Sequence, residues 1–579
     1  YYEIVIKNNR LTLKANDAHG IFNACQTLLA LLDNMELTSA PLPNLHITDY
    51  PDMGHRGIML DVARNFTKKT DLLKLIDILS FYKMNVLHLH LSDDEAWRVE
   101  IPGLEELTEI ASRRGHTTDE LTCLYPAYAW GWNEADTTSL ANGYYSRNDF
   151  MDILKYAKER HIRIIPEIDI PAHSLAFTHY KPEIGSKEYG MDHLDLYKDE
   201  TYHFLDTLFD EYLSGEHPIF IGPDVHIGTD EYNKKEAEQY RYFTDRYLKY
   251  IEKYGKNPRM WGGLKWLPGK TPVKAGGVTV NAWSYDWIDP EASLREGYQL
   301  INTCDTYLYI VPRAGYYREF LDHKWIYESW SPWLMNSKQT LPEGTPGVLG
   351  GMFAVWNDMC GNGISEQDVH LRSFPAIQVL AEKLWKGDNK IVSYESFEAL
   401  CRIMPEAPGV NLLARIPKEM CLTPLGKVCL LSGTDTIRTA LQEVGYPYVV
   451  SFKIYPDKDT NINGILFEGP HSKVYTNWEN TGRIAFSRDG YTFVFGSYCL
   501  PKGKWTDICI SGDYKGTSLY VNGKLQERLE GRKMKVYCKK NKRMDYMPYQ
   551  ETLIFPLRWI GNPLNGFKGK IQNVTCVQK

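Results

Sequence analysis

Residues 162–169 read Ile162-Arg163-Ile164-Ile165-Pro166-Glu167-Ile168-Asp169. The run is mostly apolar, has the length of a strand rather than a helix, and ends on an acid. An amphipathic helical segment, 149–160, leads into it. Working outward, the same pair of textures recurs. Gly57-Ile58-Met59-Leu60-Asp61 is followed by a segment with Leu72, Leu75, Ile76 and Leu79 on one helical face, then by Val86-Leu87-His88-Leu89-His90-Leu91. On the other side, helix 201–213 leads into Val225-His226-Ile227-Gly228, and a long charged helix, 233–254, into Arg259-Met260-Trp261. Strands are predicted at 278–283, 300–310 and 352–356, before a closing helix at 369–385. Eight strands alternating with helices predict an α/β fold, a (β/α)8 TIM barrel. A doubly wound open sheet is the second reading, weakened because no Gly-rich phosphate loop follows the first strand.

Around this barrel, assigned to 51–390, the texture changes. Residues 1–50 hold short strands and one helix after Asn16-Asp17, with Ile21, Cys25, Leu28, Leu29 and Leu32 at helical spacing. Residues 391–444 read as a connection. From 445 to 579 the chain is all-β, with strands at 448–454, 464–468, 483–487, 492–495, 505–510 and 518–521. Asp489-Gly490 and Asn522-Gly523 supply hairpin turns, so a separate β-sandwich is expected.

Composition narrows the function. The 579 residues carry 66 Lys+Arg against 73 Asp+Glu, a net charge of −7, with no basic excess to neutralise phosphates, so no nucleic-acid partner is expected. The 43% hydrophobic content and mean hydropathy of −0.40 exclude wholesale disorder. No apolar run is long enough to span a membrane. Eleven cysteines without a CxxC argue against structural zinc, thioredoxin-like chemistry and a disulfide framework, and the odd count leaves at least one thiol free or paired between chains. Aromatics reach 13%, which suits a well-filled core or a surface that stacks on sugar rings. The chain opens on Tyr1-Tyr2-Glu3-Ile4-Val5-Ile6 with neither Met nor signal peptide, and removal of a leader or more is expected.

Reactive groups of a TIM barrel collect at the C-terminal ends of its strands. Reading those ends in order gives Arg64, Asp93-Asp94, Asp169 with His173, Asp230-Glu231, Trp261, Trp283, Tyr309, and Trp356 with Asp358. Carboxylates gather on the first half and aromatics on the second. Taken singly, each has a structural explanation: acids cap helices, and His88, His90 and His226 read as satisfied core histidines. Their joint placement predicts a pocket shaped for a flat ring. Asp230 and Glu231 are adjacent, so they cannot straddle a glycosidic bond as two opposed carboxylates do. The place of an opposing nucleophile falls to Tyr309, and something other than an enzyme carboxylate is expected to attack the anomeric carbon.

Four long segments, in order, resemble the β-N-acetylhexosaminidases of glycoside hydrolase family 20: 55–66, 83–94, Pro166-Glu167-Ile168-Asp169-Ile170-Pro171-Ala172-His173 and His226-Ile227-Gly228-Thr229-Asp230-Glu231. Residues 1–50 resemble the tail of the small α/β domain that precedes the barrel in that family, shortened here, and 445–579 resemble a concanavalin A-like (laminin G-like) jelly roll. The resemblance implies a retaining exo-enzyme in which the substrate's 2-acetamido oxygen attacks and forms an oxazolinium ion. It implies Glu231 as general acid and then base, Asp230 as acceptor of the acetamido N–H, and Tyr309 as donor to the acetamido oxygen. Trp261, Trp283 and Trp356 are implied to box the sugar, with Arg64, Asp93 and Asp358 holding its hydroxyls. Asp169, His173 and His226 are implied to position Asp230 and Glu231.

Two positions depart from the family pattern. Val311 stands where many members place Asp or Asn, and Asp358 where Glu is usual. The expected substrate is a glycan ending in β-linked N-acetylglucosamine, with N-acetylgalactosamine as a further candidate. No cofactor or metal is expected. By analogy the protein is placed in the periplasm, at the cell surface or outside the cell. A lacto-N-biosidase-like enzyme and a catalytically silent glycan-binding protein are the alternatives. The first needs a wider pocket than Arg64 and Asp93 leave, and the second does not need the acid, its helper and the tyrosine.

Overall fold

The structure is a computed structural model. It describes residues 1–579 except Ala40, 113–141, His217, 361–363, 388–391, 489–490, 539–542, Gln550 and Lys579. The chain forms two compact units. Among the described residues, the first comprises 1–112, 142–360 and 372–410, and the second 364–371 and 411–578.

Eight parallel strands close the barrel of the first unit: β1 (His55–Asp61), β2 (Val86–His90), β3 (Arg163–Ile170), β4 (Asp224–Gly228), β5 (Asn257–Trp261), β6 (Thr279–Ala282), β7 (Gln299–Asn302) and β8 (Val348–Val355). β8 pairs with both β1 and β7, which completes the ring and confirms the barrel expected from the sequence. The strands read as unbroken apolar runs because both faces are covered; every residue of β1, β2 and β4 is buried. The intervening helices follow their apolar stripes. Arg147–Glu159, for example, is opened by a capping box between Ser146 and Asp149 and buries Phe150, Ile153 and Ala157.

One strand is shorter than its apolar pattern. The run read as 300–310 stops as β7 at Asn302, whose side-chain oxygen accepts from Cys304 N–H at 3.1 Å while its Nδ2 donates to the Pro332 and Leu334 carbonyls. A single helical turn, Asp305–Leu308, follows. Tyr309–Ile310 then forms a separate two-residue strand beside β8. Tyr309 is therefore presented from a detour rather than from the end of β7.

In front of the barrel, strands Tyr2–Lys7, Arg10–Ala15 and Leu45–Asp49 form an antiparallel sheet. Helix Ala18–Thr38 begins where the Asp17 side chain accepts from Gly20 N–H at 2.7 Å. Tyr2, Ile4 and Ala24 pack with Trp385 of the last barrel helix, Glu366–Lys386. The helical stripe is only partly used, since Ile21, Leu29 and Leu32 stay exposed.

The second unit is antiparallel, with a seven-stranded and a six-stranded sheet. Strand Tyr448–Pro456 alternates buried and half-buried residues along its whole length. Phe452 from one sheet meets Phe467 from the other at 5.1 Å, so the two inner faces share a core. Asn522 and Gly523 take positive φ (48° and 77°) between two paired strands, as a two-residue hairpin requires. The Asp489-Gly490 turn lies outside the described residues. Within 391–444, helix Tyr394–Ile403 belongs to the first unit, whereas strands at 420–421, 429–432 and 436–438 join the C-terminal sheets. These strands are too short to show alternation in the sequence. Among the described residues, nine cysteines are free thiols and no helix is long and apolar enough to cross a membrane.

Candidate active site

Arg64 follows β1 by three residues, and its own backbone N–H donates to Asp61 Oδ1 at 2.9 Å. Its guanidinium faces four carboxylates: Asp61 at 3.1 Å, Asp93 at 2.8 Å, Glu95 at 3.3 Å and Asp358 at 3.5 Å. Burial works against that charge, but these carboxylates, Asp93 foremost, hold the Arg64 proton more tightly than usual. Asp61 also accepts from the Asn357 N–H at 3.0 Å, which ties β1 to the turn after β8. The same turn carries Asp358, whose Oδ2 accepts from the Tyr316 hydroxyl at 2.8 Å.

Two histidines link the strand ends. His90 Nε2 bonds Asp93 Oδ2 at 2.7 Å. His173 places Nδ1 3.2 Å from Asp93 Oδ1 and Nε2 3.2 Å from Glu231 Oε2. Burial opposes the His173 charge, but Asp93 with Asp94 and Glu231 keeps it protonated well above the imidazole range.

The turn after β4 is bent sharply: Gly228, Thr229 and Glu231 have φ of 65°, 81° and 53°. Left-handed backbone is costly for a β-branched residue, so the strain sits where function concentrates. It turns two neighbouring side chains apart. Asp230 is buried, whereas the Glu231 side chain is 51% exposed. Gly228 is required twice over, since a Cβ there would also lie 1.7 Å from Asp169 Oδ1. Gly228→Ala is expected to cost at least about 2 kcal/mol in urea unfolding and most of the activity. A variant of native stability and activity would refute this packing.

Burial sorts the acids. Asp169, Asp230 and His173 bring polar atoms within 4.8 Å of one another. Burial, reinforced by Asp230, pushes Asp169 well above the carboxylate range and disfavours its charged form. Burial also lifts Asp230, to about 6, against the pull of His173. The His173 contact holds Glu231 below its usual value.

Trp261, Trp283, Tyr309 and Trp356 fall in one buried cluster with Met59, Ile301, Val311 and Met352. Trp261 Nε1 donates to Glu167 Oε1 at 2.6 Å, and Trp283 Nε1 to the Gly262 carbonyl at 2.8 Å. The Tyr309 ring lies 5.9 Å from Trp356, and burial with Asp305 keeps its phenol protonated far above pH 7. Val311 is 1% exposed among these rings and offers no polar atom.

The strand ends thus bring together every residue expected from the sequence, but not all in the expected way. His226 does not touch Asp230 or Glu231. Its Nδ1 accepts from Gly228 N–H at 3.1 Å, and its ring packs edge-on against Trp261. Its influence passes through the backbone of the turn and the pocket floor. Sequence reading missed Glu167, Asp61, Glu95 and Tyr316. Glu167 had a signal: an acid inside an apolar strand, with three histidines on the flanking strands. His88, Glu167 and His226 could present ligands to a metal ion, as could Asp169, His173 and Asp230. A protonated imidazole already faces the acids of each group, His90 beside Glu167 and His173 beside Asp230, and the arrangement is equipped for acid–base work.

A cavity of about 550 Å³ lined by Met53, Trp333 and Lys383 opens at the other end of the barrel, by the starts of β1 and β8. In TIM barrels that end serves stability, and none of the groups above reaches it.

Comparison with known proteins agrees with this geometry. Residues 53–388 match the model of "Glycosyl hydrolase family 20, catalytic domain". An N,N'-diacetylchitobiase of Vibrio harveyi is 48% identical over 175 residues, 30% of this chain and 19% of the relative. A beta-hexosaminidase of Porphyromonas gingivalis is 31% identical over 313 residues, 48% of this chain and 36% of the relative. The chain thus matches well under two thirds of the length of either relative. The crystal structure of a beta-N-acetylhexosaminidase from Bacteroides fragilis superposes with a TM-score of 0.56 at 25% identity, covering 69% of this chain and 79% of that one. The matched family segment contains all eight barrel strands and every site residue named above, and the chain belongs to glycosyl hydrolase family 20.

Proposed function

We propose that the protein is a retaining exo-β-N-acetylhexosaminidase that releases terminal β-linked N-acetylglucosamine by substrate-assisted catalysis. The observation that carries this reading is the turn after β4, which buries Asp230 and exposes Glu231 beside one aromatic cluster. In this mechanism the acetamido oxygen attacks C1 while Glu231 gives its proton to the departing oxygen. The C1–O bond breaks and an oxazolinium ion forms. Asp230 accepts the acetamido N–H and faces the developing positive charge, and the Tyr309 hydroxyl donates to the attacking oxygen. Glu231 then takes a proton from water as that water opens the ring at C1. Arg64, Asp93 and Asp358 close the end of the pocket around the sugar hydroxyls, which suits exo action. The C-terminal sandwich is read as a concanavalin A-like jelly roll, because two antiparallel sheets share its core.

The resting protons sit the other way round from the first step, with Glu231 held low and Asp230 at about 6. The resting and the reactive arrangement carry the same number of protons, so both belong to one singly protonated pair. As pH rises through about 6 the pair loses that proton and with it the acid. The alkaline limb of kcat/KM is therefore expected near pH 6. A bound sugar covers Glu231 from water and places an N–H on Asp230, which favours the reactive arrangement, so the limb of kcat should lie at higher pH. A kcat/KM profile flat from pH 5 to 8 would contradict this pairing.

Chromogenic β-N-acetylglucosaminide, β-N-acetylgalactosaminide and β-galactoside test the reading together. Cleavage confined to the N-acetylated sugars is expected, and no cleavage of either would overturn it.

A further inference from the structure

Glu167, on β3, is completely buried. Barrel register sets it beside His90 on β2 and His226 on β4. Its Oε1 accepts from Trp261 Nε1 at 2.6 Å, and its Oε2 lies 2.9 Å from His88 Nε2 and 3.0 Å from His90 Nδ1. The three imidazoles are not equivalent. His226 spends Nδ1 as an acceptor from Gly228 N–H, and burial holds it neutral, down to about 4. Burial also lowers His88. His90 alone has a second carboxylate, Asp93, on its other nitrogen. Burial opposes its charge, but Glu167 and Asp93 together hold its proton well above the imidazole range. Asp169 on the same strand, Asp230 after β4 and Arg259 on β5 also act on this cluster.

We propose that Glu167 is a positioning residue for the reaction: it anchors an alternating series of acids and imidazoles, Glu167–His90–Asp93–His173–Glu231, and by its other oxygen fixes the Trp261 indole. The successive contacts are 3.0, 2.7, 3.2 and 3.2 Å. The series runs from the floor of the pocket to the exposed acid. Each imidazolium lies between two carboxylates, so removing the first negative charge weakens the hold on the first positive one. Asp93, partnered as well by Arg64, then leans harder on His173, and the charge facing Glu231 changes. Glu167 touches no substrate; it acts on the acid through three intermediaries and on the sugar through one indole.

The inference rests on Glu231 being the acid, and the test keeps the two apart. Glu167→Gln keeps the shape and an oxygen for Trp261 but not the charge. Two N-acetylglucosaminides are compared: one with a sugar aglycone, which needs a proton to leave, and one with 2,4-dinitrophenol, which does not. Glu167→Gln is expected to lower kcat on the first by roughly 10–100-fold and on the second by less than about threefold. His90→Gln, which breaks the series at the next link and leaves the Trp261 contact alone, is expected to show the same split. It decides the matter if Glu167→Gln does not fold, as judged by thermal unfolding. Equal losses on both substrates, or none, overturn the proposal, because a loosened pocket does not discriminate leaving groups. Failure of the unaltered protein to cleave either glycoside would instead count against the proposed function.

Discussion

Glu231→Gln is expected to fold normally and to lose roughly 10²–10⁴-fold in turnover on a natural disaccharide, the scale of a missing general acid. The fold should tolerate it because the side chain is half exposed and His173, its charged contact at 3.2 Å, keeps Asp93 and Asp94 as partners. The loss should shrink with dinitrophenol as the aglycone, since that group departs without a proton. The second step, in which Glu231 serves as base, then becomes limiting, and a burst of dinitrophenol should precede a slow steady state. Turnover of a disaccharide within about tenfold of the unaltered protein would remove Glu231 from the acid role.

Asp230→Asn is the second large effect, and its origin differs. Burial disfavours a charge on Asp169 beside it, so the negative charge of the two settles more readily on Asp230. That charge faces the place where the oxazolinium ion would form, in a buried setting where one oriented group is worth roughly 10²–10³-fold in kcat. Asparagine removes the charge and can turn an N–H toward the acetamido N–H it should receive. The complementary experiment alters the substrate. Replacing N-acetyl by its mono-, di- and trifluoro forms on one aryl glycoside weakens the attacking oxygen stepwise with little change in size. Turnover should fall along the series. A flat series together with a glycosyl ester trapped on an Asp or Glu would replace substrate assistance by an enzyme nucleophile.

The barrel was legible because its strands are continuous apolar runs separated by amphipathic helices, and period alone distinguishes the two. The seventh strand shows the limit of that signal. Residues 300–310 stay apolar through a turn that depends on the Asn302 side chain, and a hydrophobic pattern cannot register a hydrogen bond. The site was legible at the strand ends, where Asp, Glu and Trp are out of place in a core. Glu167 escaped because its meaning lies in register. Only when β2, β3 and β4 are aligned does one buried acid find His90 and His226 alongside it. Tyr316 escaped because 316 and 358 are remote in sequence, and no local pattern announces that one holds the other.

The bend after β4 also bears on how long the protein keeps working when it is warmed. Left-handed conformations at Thr229 and Glu231, at about 1–3 kcal/mol each, persist only while the barrel around them enforces them. Gly228, Thr229 and Asp230 are buried, so the turn is packed into the strand ends that hold it. Strain of this kind is released first when its supports loosen, ahead of the strands that carry it. Activity is therefore expected to fade on warming before the barrel unfolds, as residual turnover compared with thermal unfolding would show. Full activity up to the unfolding midpoint would mean that the turn and the barrel give way together.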